Sequence, residues 1–160
     1  MGRSGFIIAS ATLTQFLLGR WISSPWLMPD LALLSILLVV MRDPRHALGP
    51  VLFGGCCVML LTVRHPVLIG LAYAGAGGLV RRLASQWDLT AAPMQRIVVG
   101  VMEGLLLTWF MVLSAPVRGG LCMLAMPRLI VTVLCLPLVR AVVVRMLPLA
   151  QTAESSPIAL

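Results

Sequence analysis

Residues 26–55 read WLMPDLALLSILLVVMRDPRHALGPVLFGG, and the reading of this stretch decides the fold. Two apolar runs, Leu31 to Met41 and Ala47 onward, are joined by a short charged turn, Arg42-Asp43-Pro44-Arg45-His46, and Pro29-Asp30 opens the first run. A proline suits the first helical position, where its missing N–H costs nothing, and an acid in the first turn suits the positive end of the helix dipole. This is the pattern of a helical hairpin in a membrane.

Composition extends that reading to the whole chain. Of its 160 residues 60% are hydrophobic and 11% charged, with a mean hydropathy of +1.04, where a soluble domain carries about 25% charged residues. A chain this size cannot hide so much apolar surface from water, so the bilayer is its solvent, and there only helices or a closed barrel satisfy the backbone. A barrel needs segments that alternate apolar and polar, whereas Leu31 to Met41 and Ile97 to Leu107 are apolar at almost every position. The expected fold is an all-α membrane protein, a compact bundle of about six transmembrane helices with short loops.

On a requirement of about 20 residues per span, the spans expected are Gly5–Ile22, Trp26–Met41, Ala47–Val63, Val67–Val80, Ile97–Ala115 and Leu121–Leu147. Arg81 to Arg96 then form a longer polar segment, Pro116 to Gly120 a turn, and residues 151–160 a disordered tail after a single domain over residues 1–150. Arg3 and the run Phe6 to Leu18 have the charge and length of a signal peptide, but Leu18-Gly19-Arg20-Trp21 offers no small-residue cleavage site, so a first membrane helix is expected.

The net charge of +7 comes from twelve basic residues, all Arg, that fall mainly between the apolar runs. With the N-terminus inside, eight of them (Arg3, Arg42, Arg45, Arg81, Arg82, Arg96, Arg140, Arg145) lie on the cytoplasmic side and four (Arg20, Arg64, Arg118, Arg128) opposite. That asymmetry predicts both termini in the cytoplasm and explains the charge without nucleic acid. Trp21 and Trp26 bracket the outer end of the first hairpin as interfacial anchors; Trp87 falls in the inner loop and Trp109 toward the outer end of helix five. Cys56, Cys57, Cys122 and Cys135 form no Cys-x-x-Cys pair and sit in apolar runs, so they are expected as buried small hydrophobes, with no metal site and no cofactor.

Candidate sites are few. Gly70, Ala74 and Gly78 recur four apart, a face on which helix backbones pack closely, within the protein or against another. Gly54 and Gly55, with Gly49, thin helix three, and Gly100 and Gly104 thin helix five. Glu103 is the one acid well inside an expected span, about 9 Å along helix five from Ile97. It could pair with Arg96, reach water or contact a partner; Arg128 becomes an intramembrane base if helix six starts at Leu121, and whether the two meet stays open. Pro29 and Asp30 read either as helix-start chemistry or as an outward contact for a periplasmic partner. His46 and His65 stand alone in turns, and no nucleophile elbow or nucleotide fingerprint is present, so no enzyme is expected.

Pro29-Asp30-Leu31 opening an apolar run, then Gly49-Pro50-Val51-Leu52-Phe53-Gly54-Gly55, then Ile69-Gly70-Leu71-Ala72-Tyr73 leading to Gly77-Gly78 and Arg81-Arg82, resembles the rod shape-determining protein MreD family over about Trp26 to Arg82. The family usually has an Asp after the glycines of the third helix, where this chain reads Cys56-Cys57-Val58-Met59-Leu60-Leu61-Thr62. The resemblance implies a non-catalytic scaffold of the bacterial inner membrane that binds the coiled-coil protein MreC within the elongation complex of the MreB filament and peptidoglycan synthases. The alternative is the substrate-binding component of an energy-coupling-factor vitamin transporter, which shares the six-helix architecture and would present small residues such as Ala9 and Ala11 to its coupling partner. A small secondary transporter, with Glu103 on a water path, is a third.

Overall fold

The computed structural model describes residues 2–22, 27–113 and 121–147, with side chains of the last segment from residue 126. Trp26, the Pro116 to Gly120 turn, Arg118, the Cys122 side chain and the 151–160 tail lie outside the described residues. Six helices account for nearly all the rest: α1 (Gly2–Trp21), α2 (Leu31–Arg42), α3 (Leu48–Leu61), α4 (Pro66–Ala84), α5 (Ala92–Leu113) and α6 (Leu121–Met146). The fold is an all-α membrane bundle. Pro66–Ala84, Ala92–Leu113 and Met126–Met146 are long and apolar enough to cross a membrane.

The short helix α2 is the centre of the bundle. It touches every other helix, and the others close around it in the order α1, α3, α4, α5, α6, back to α1. Residues Ala32 through Met41 are all buried, and the large apolar side chains on the outside come from the surrounding helices, among them Leu13, Leu60, Leu71, Leu105 and Leu138. A helix apolar all round is a core helix in any solvent. Here the outer ring meets lipid and α2 meets only protein.

Helix boundaries differ from the spans expected by length, for reasons that are local. Arg81 and Arg82 continue α4 to Ala84, and α5 begins at Ala92, so Arg96 is helical. Pro93 fits the first turn of α5, and an exposed Arg extends toward headgroups without ending the helix. The largest difference is α2, which starts at Leu31 and not at Trp26, and has 12 residues. That is about 18 Å, well short of a hydrocarbon core about 30 Å thick. In the tight α3–α4 turn His65 takes φ 50°, left-handed, immediately before Pro66 at the head of α4.

The α3–α4 seam is made by missing side chains. A Cβ on Gly55 would lie 2.8 Å from the Gly70 carbonyl oxygen and 3.1 Å from the Ala74 Cβ, and one on Gly70 would lie 2.9 Å from the Gly55 oxygen. Gly54 admits Ile36 of α2, whose side chain comes within 2.6 Å of where a Cβ would stand. Gly78, expected on this face, is off it: nothing lies within 4 Å of its Cβ position, while Gly77 meets Ile36 and Val51 at 3.0 Å. At about 3.6 residues per turn, seven residues return to a face more closely than eight do.

The cysteines are less buried than expected. Cys56 is exposed and Cys57 and Cys135 half-buried, consistent with small side chains on the lipid side of the ring. Trp21 is exposed at the end of α1 and Trp87 in the connection after α4, and Trp109 is 42% exposed on α5.

Candidate functional site

A helix that begins inside the bundle leaves backbone N–H groups with no water to bind, and in lipid each must find a protein partner. The head of α2 meets this demand group by group. Asp30 is its N-cap, and its Oδ1 accepts the Leu33 N–H at 2.9 Å. The Ala32 N–H donates to Gln15 Oε1 of α1 at 2.8 Å, and the Leu31 N–H to the Pro29 carbonyl at 3.1 Å. The Asp30 N–H donates to Thr132 Oγ1 of α6 at 3.0 Å.

Capping places a carboxylate in the interior, and three helices answer it. Asp30 is 0% exposed. Its Oδ2 accepts from the Tyr73 hydroxyl of α4 and from Arg128 Nη2 of α6, the latter at 2.7 Å. Arg128 Nε donates to Glu103 Oε1 of α5 at 2.9 Å, and its guanidinium lies 5.9 Å from the centre of the Phe110 ring. Phe110 and Tyr73 pack as tilted rings 6.3 Å apart. Glu103 is also 0% exposed, and its Oε2 is buried with no hydrogen-bond partner among the described residues.

Depth follows from helical rise. Tyr73 and Arg128 each stand seven residues into their helices, about 10 Å from the start, and Glu103 is near the middle of α5. The cluster therefore lies well inside the bundle, where an unpaired charge is costly. Two carboxylates share one guanidinium, and the N-terminus of α2 adds about half a positive charge at Asp30. Glu103 caps no helix, and Arg128 is its one hydrogen-bond partner among the described residues.

Several expected sites thus change place. Asp30 is a helix cap, as one of its two readings held, but it is enclosed and not open to a partner outside; Pro29 immediately before it is half-buried. Glu103 lies deeper than expected because α5 starts at Ala92, and it pairs with Arg128, not Arg96. Gly54, Gly55, Gly70 and Ala74 form the close contacts among α2, α3 and α4, and Gly78 does not join them. Tyr73, Thr132 and Gln15 were not singled out from the sequence. Tyr73 is the chain's one tyrosine, set in a glycine-rich helix, and Thr132 follows Arg128 by four residues on the same helix face.

A second feature lies beside the head of α2. A cleft of about 300 Å3 between α1, α2 and α3 is lined by Thr12, Gln15, Phe16, Arg20, Met28 and Thr62, among others. Among the described residues no group of three or more metal-ligating side chains occurs. The chain matches no protein-family model, no curated protein and no solved structure.

Proposed function

We propose that this chain is a non-catalytic integral membrane scaffold, similar to the MreD family, that serves cell-wall elongation and cell shape by holding an MreC-like partner in the bacterial inner membrane. The observation that carries the reading is the ionic cluster. Asp30, Tyr73, Glu103 and Arg128 are turned on one another and clamp α2, α4, α5 and α6 in one register. A fixed apolar exterior is what a scaffold offers to other membrane proteins and to lipid. Both termini are cytoplasmic in this reading. With Arg128 inside the bundle the arginine count becomes eight cytoplasmic against three opposite, a sharper asymmetry than the sequence alone suggested.

Affinity purification in mild detergent tests it. The expected result is co-isolation of a membrane-anchored coiled-coil protein of the MreC kind, together with loss of rod shape when the chain is depleted. Co-isolation of an ATPase pair instead would replace the scaffold by the vitamin-transporter reading. That second reading is favoured by one observation, the cleft beside Gln15, whose size and mixed lining suit a small ligand. A small molecule retained there through purification would decide for it.

A further inference from the structure

At the other end of the bundle, where α2 and α4 finish and α3 begins, a cleft of about 640 Å3 is lined by Pro44, Arg45, Gly78, Arg81, Arg82 and Ser85, among others. We infer that this cleft binds the phosphate group of an anionic molecule, with Arg81 as the fixed donor and Arg45 and Arg82 closing on it from the rim. Arg81 is half-buried and held in place by its Nε, which donates to the Pro44 carbonyl at 2.9 Å. That bond leaves the two terminal NH2 groups, the edge that pairs with phosphate oxygens. Arg45 and Arg82 are exposed.

Three guanidiniums around one cleft repel each other unless an anion joins them. No carboxylate among the described residues lies within ion-pair distance of any of the three. The nearest acid in sequence, Asp43, is engaged by the His46 backbone N–H at 3.2 Å and by its ring. The surplus extends to Arg42, three residues before Arg45, whose Nε is buried without an acceptor among the described residues. Basic recesses between membrane helices bind anionic lipid headgroups in this way, and free phosphate offers the same oxygens.

Gly78 separates a built site from mere positive charge at a membrane face. Its missing side chain holds the cleft open, and a Cβ there meets nothing within 4 Å. Gly78→Leu therefore puts bulk into the cleft without altering charge, from a position where the added Cβ meets no neighbour. The test reconstitutes the full chain in phosphatidylcholine nanodiscs doped with phosphatidylglycerol, and counts phosphatidylglycerol retained after transfer to detergent by native mass spectrometry. The wild-type protein is expected to retain it. Gly78→Leu should lose it, Arg81→Gln/Arg82→Gln should bind it roughly fivefold more weakly per arginine removed, and Arg96→Gln, an exposed arginine at the same end, should match wild type. Displacement by millimolar inorganic phosphate would identify a phosphate site open to soluble anions, and retention against it a lipid site; both support the inference. Equal loss in Arg96→Gln, or retention of both lipid and phosphate in Gly78→Leu, would overturn it.

Discussion

The head of α2 and the seam between α3 and α4 are both contacts between membrane helices, but charge holds the first and the absence of side chains holds the second. Lipid is as apolar as leucine, so neither contact gains from the hydrophobic effect. At the seam, Gly55 and Gly70 bring two backbones together and dispersion does the rest. At the head of α2, a helix start forced into the interior needs an acid cap, the acid needs Arg128, and Arg128 in turn holds Glu103. The seam tolerates gradual loosening. The cluster fails at Arg128, because removing that one guanidinium strands two buried carboxylates.

That contrast predicts an ordered set of effects. Arg128→Met should be the most damaging single change, about 3–5 kcal/mol, since two buried carboxylates lose their counterion. Unfolding in mixed micelles would measure it, and the neutral triple variant Asp30→Asn, Glu103→Gln, Arg128→Met should regain most of the loss. A triple variant as unstable as the single one would mean that shape, not charge, is what Arg128 supplies. Tyr73→Phe comes next, at about 1.5–3 kcal/mol for a hydrogen bond to a charged group.

At the seam, Gly55→Ala must push apart two backbones and should cost about 1–3 kcal/mol. Gly78→Ala, on the same helix but facing open space, should leave stability unchanged or raise it by about 0.5–1 kcal/mol. Equal damage from the two would dissolve the seam as described. The smallest effect belongs to the exposed loop between α4 and α5, where hydrogen bonds from the Thr90 hydroxyl and backbone N–H hold the Asp88 carboxyl below its ordinary range. A lowered folded-state value means that its contribution is present at neutral pH and fades as pH falls through the carboxylate range. Thr90→Val, which removes the hydroxyl donor and keeps the backbone N–H, should reduce that slight acid sensitivity in a pH titration of stability.

Much of the fold was legible because lipid imposes long apolar runs, and Leu31 to Met41, Ile97 to Leu107 and the arginine turns mark them without ambiguity. The glycine seam was legible at Gly70 and Ala74 from their four-residue spacing, while Gly55 stood out only as thinning helix three. Its far end was missed because a four-residue period drifts from the true helical repeat by Gly78. The start of α2 was misread because span length was taken from bilayer thickness, whereas α2 begins inside the protein, its first N–H groups bound by Gln15, Pro29 and Asp30 while Thr132 holds the cap. A capping motif is a local pattern and carries no information about depth, so Asp30 read equally well as a surface residue. Glu103 and Arg128 each stood out as charges in apolar surroundings. Their meeting depends on the register of α5 against α6, which Pro127 and Pro137 in α6 obscured.

The most direct test of the central claim is a double-mutant cycle between Asp30 and Arg128, measured by unfolding in mixed micelles. Asp30→Asn keeps an N-cap acceptor and removes the charge. If α2 is held inside the bundle by this pair, Asp30→Asn in the Arg128→Met background should cost far less than in the wild type, a coupling of about 2 kcal/mol or more. Additivity within about 0.5 kcal/mol would contradict a buried ionic clamp at the head of α2.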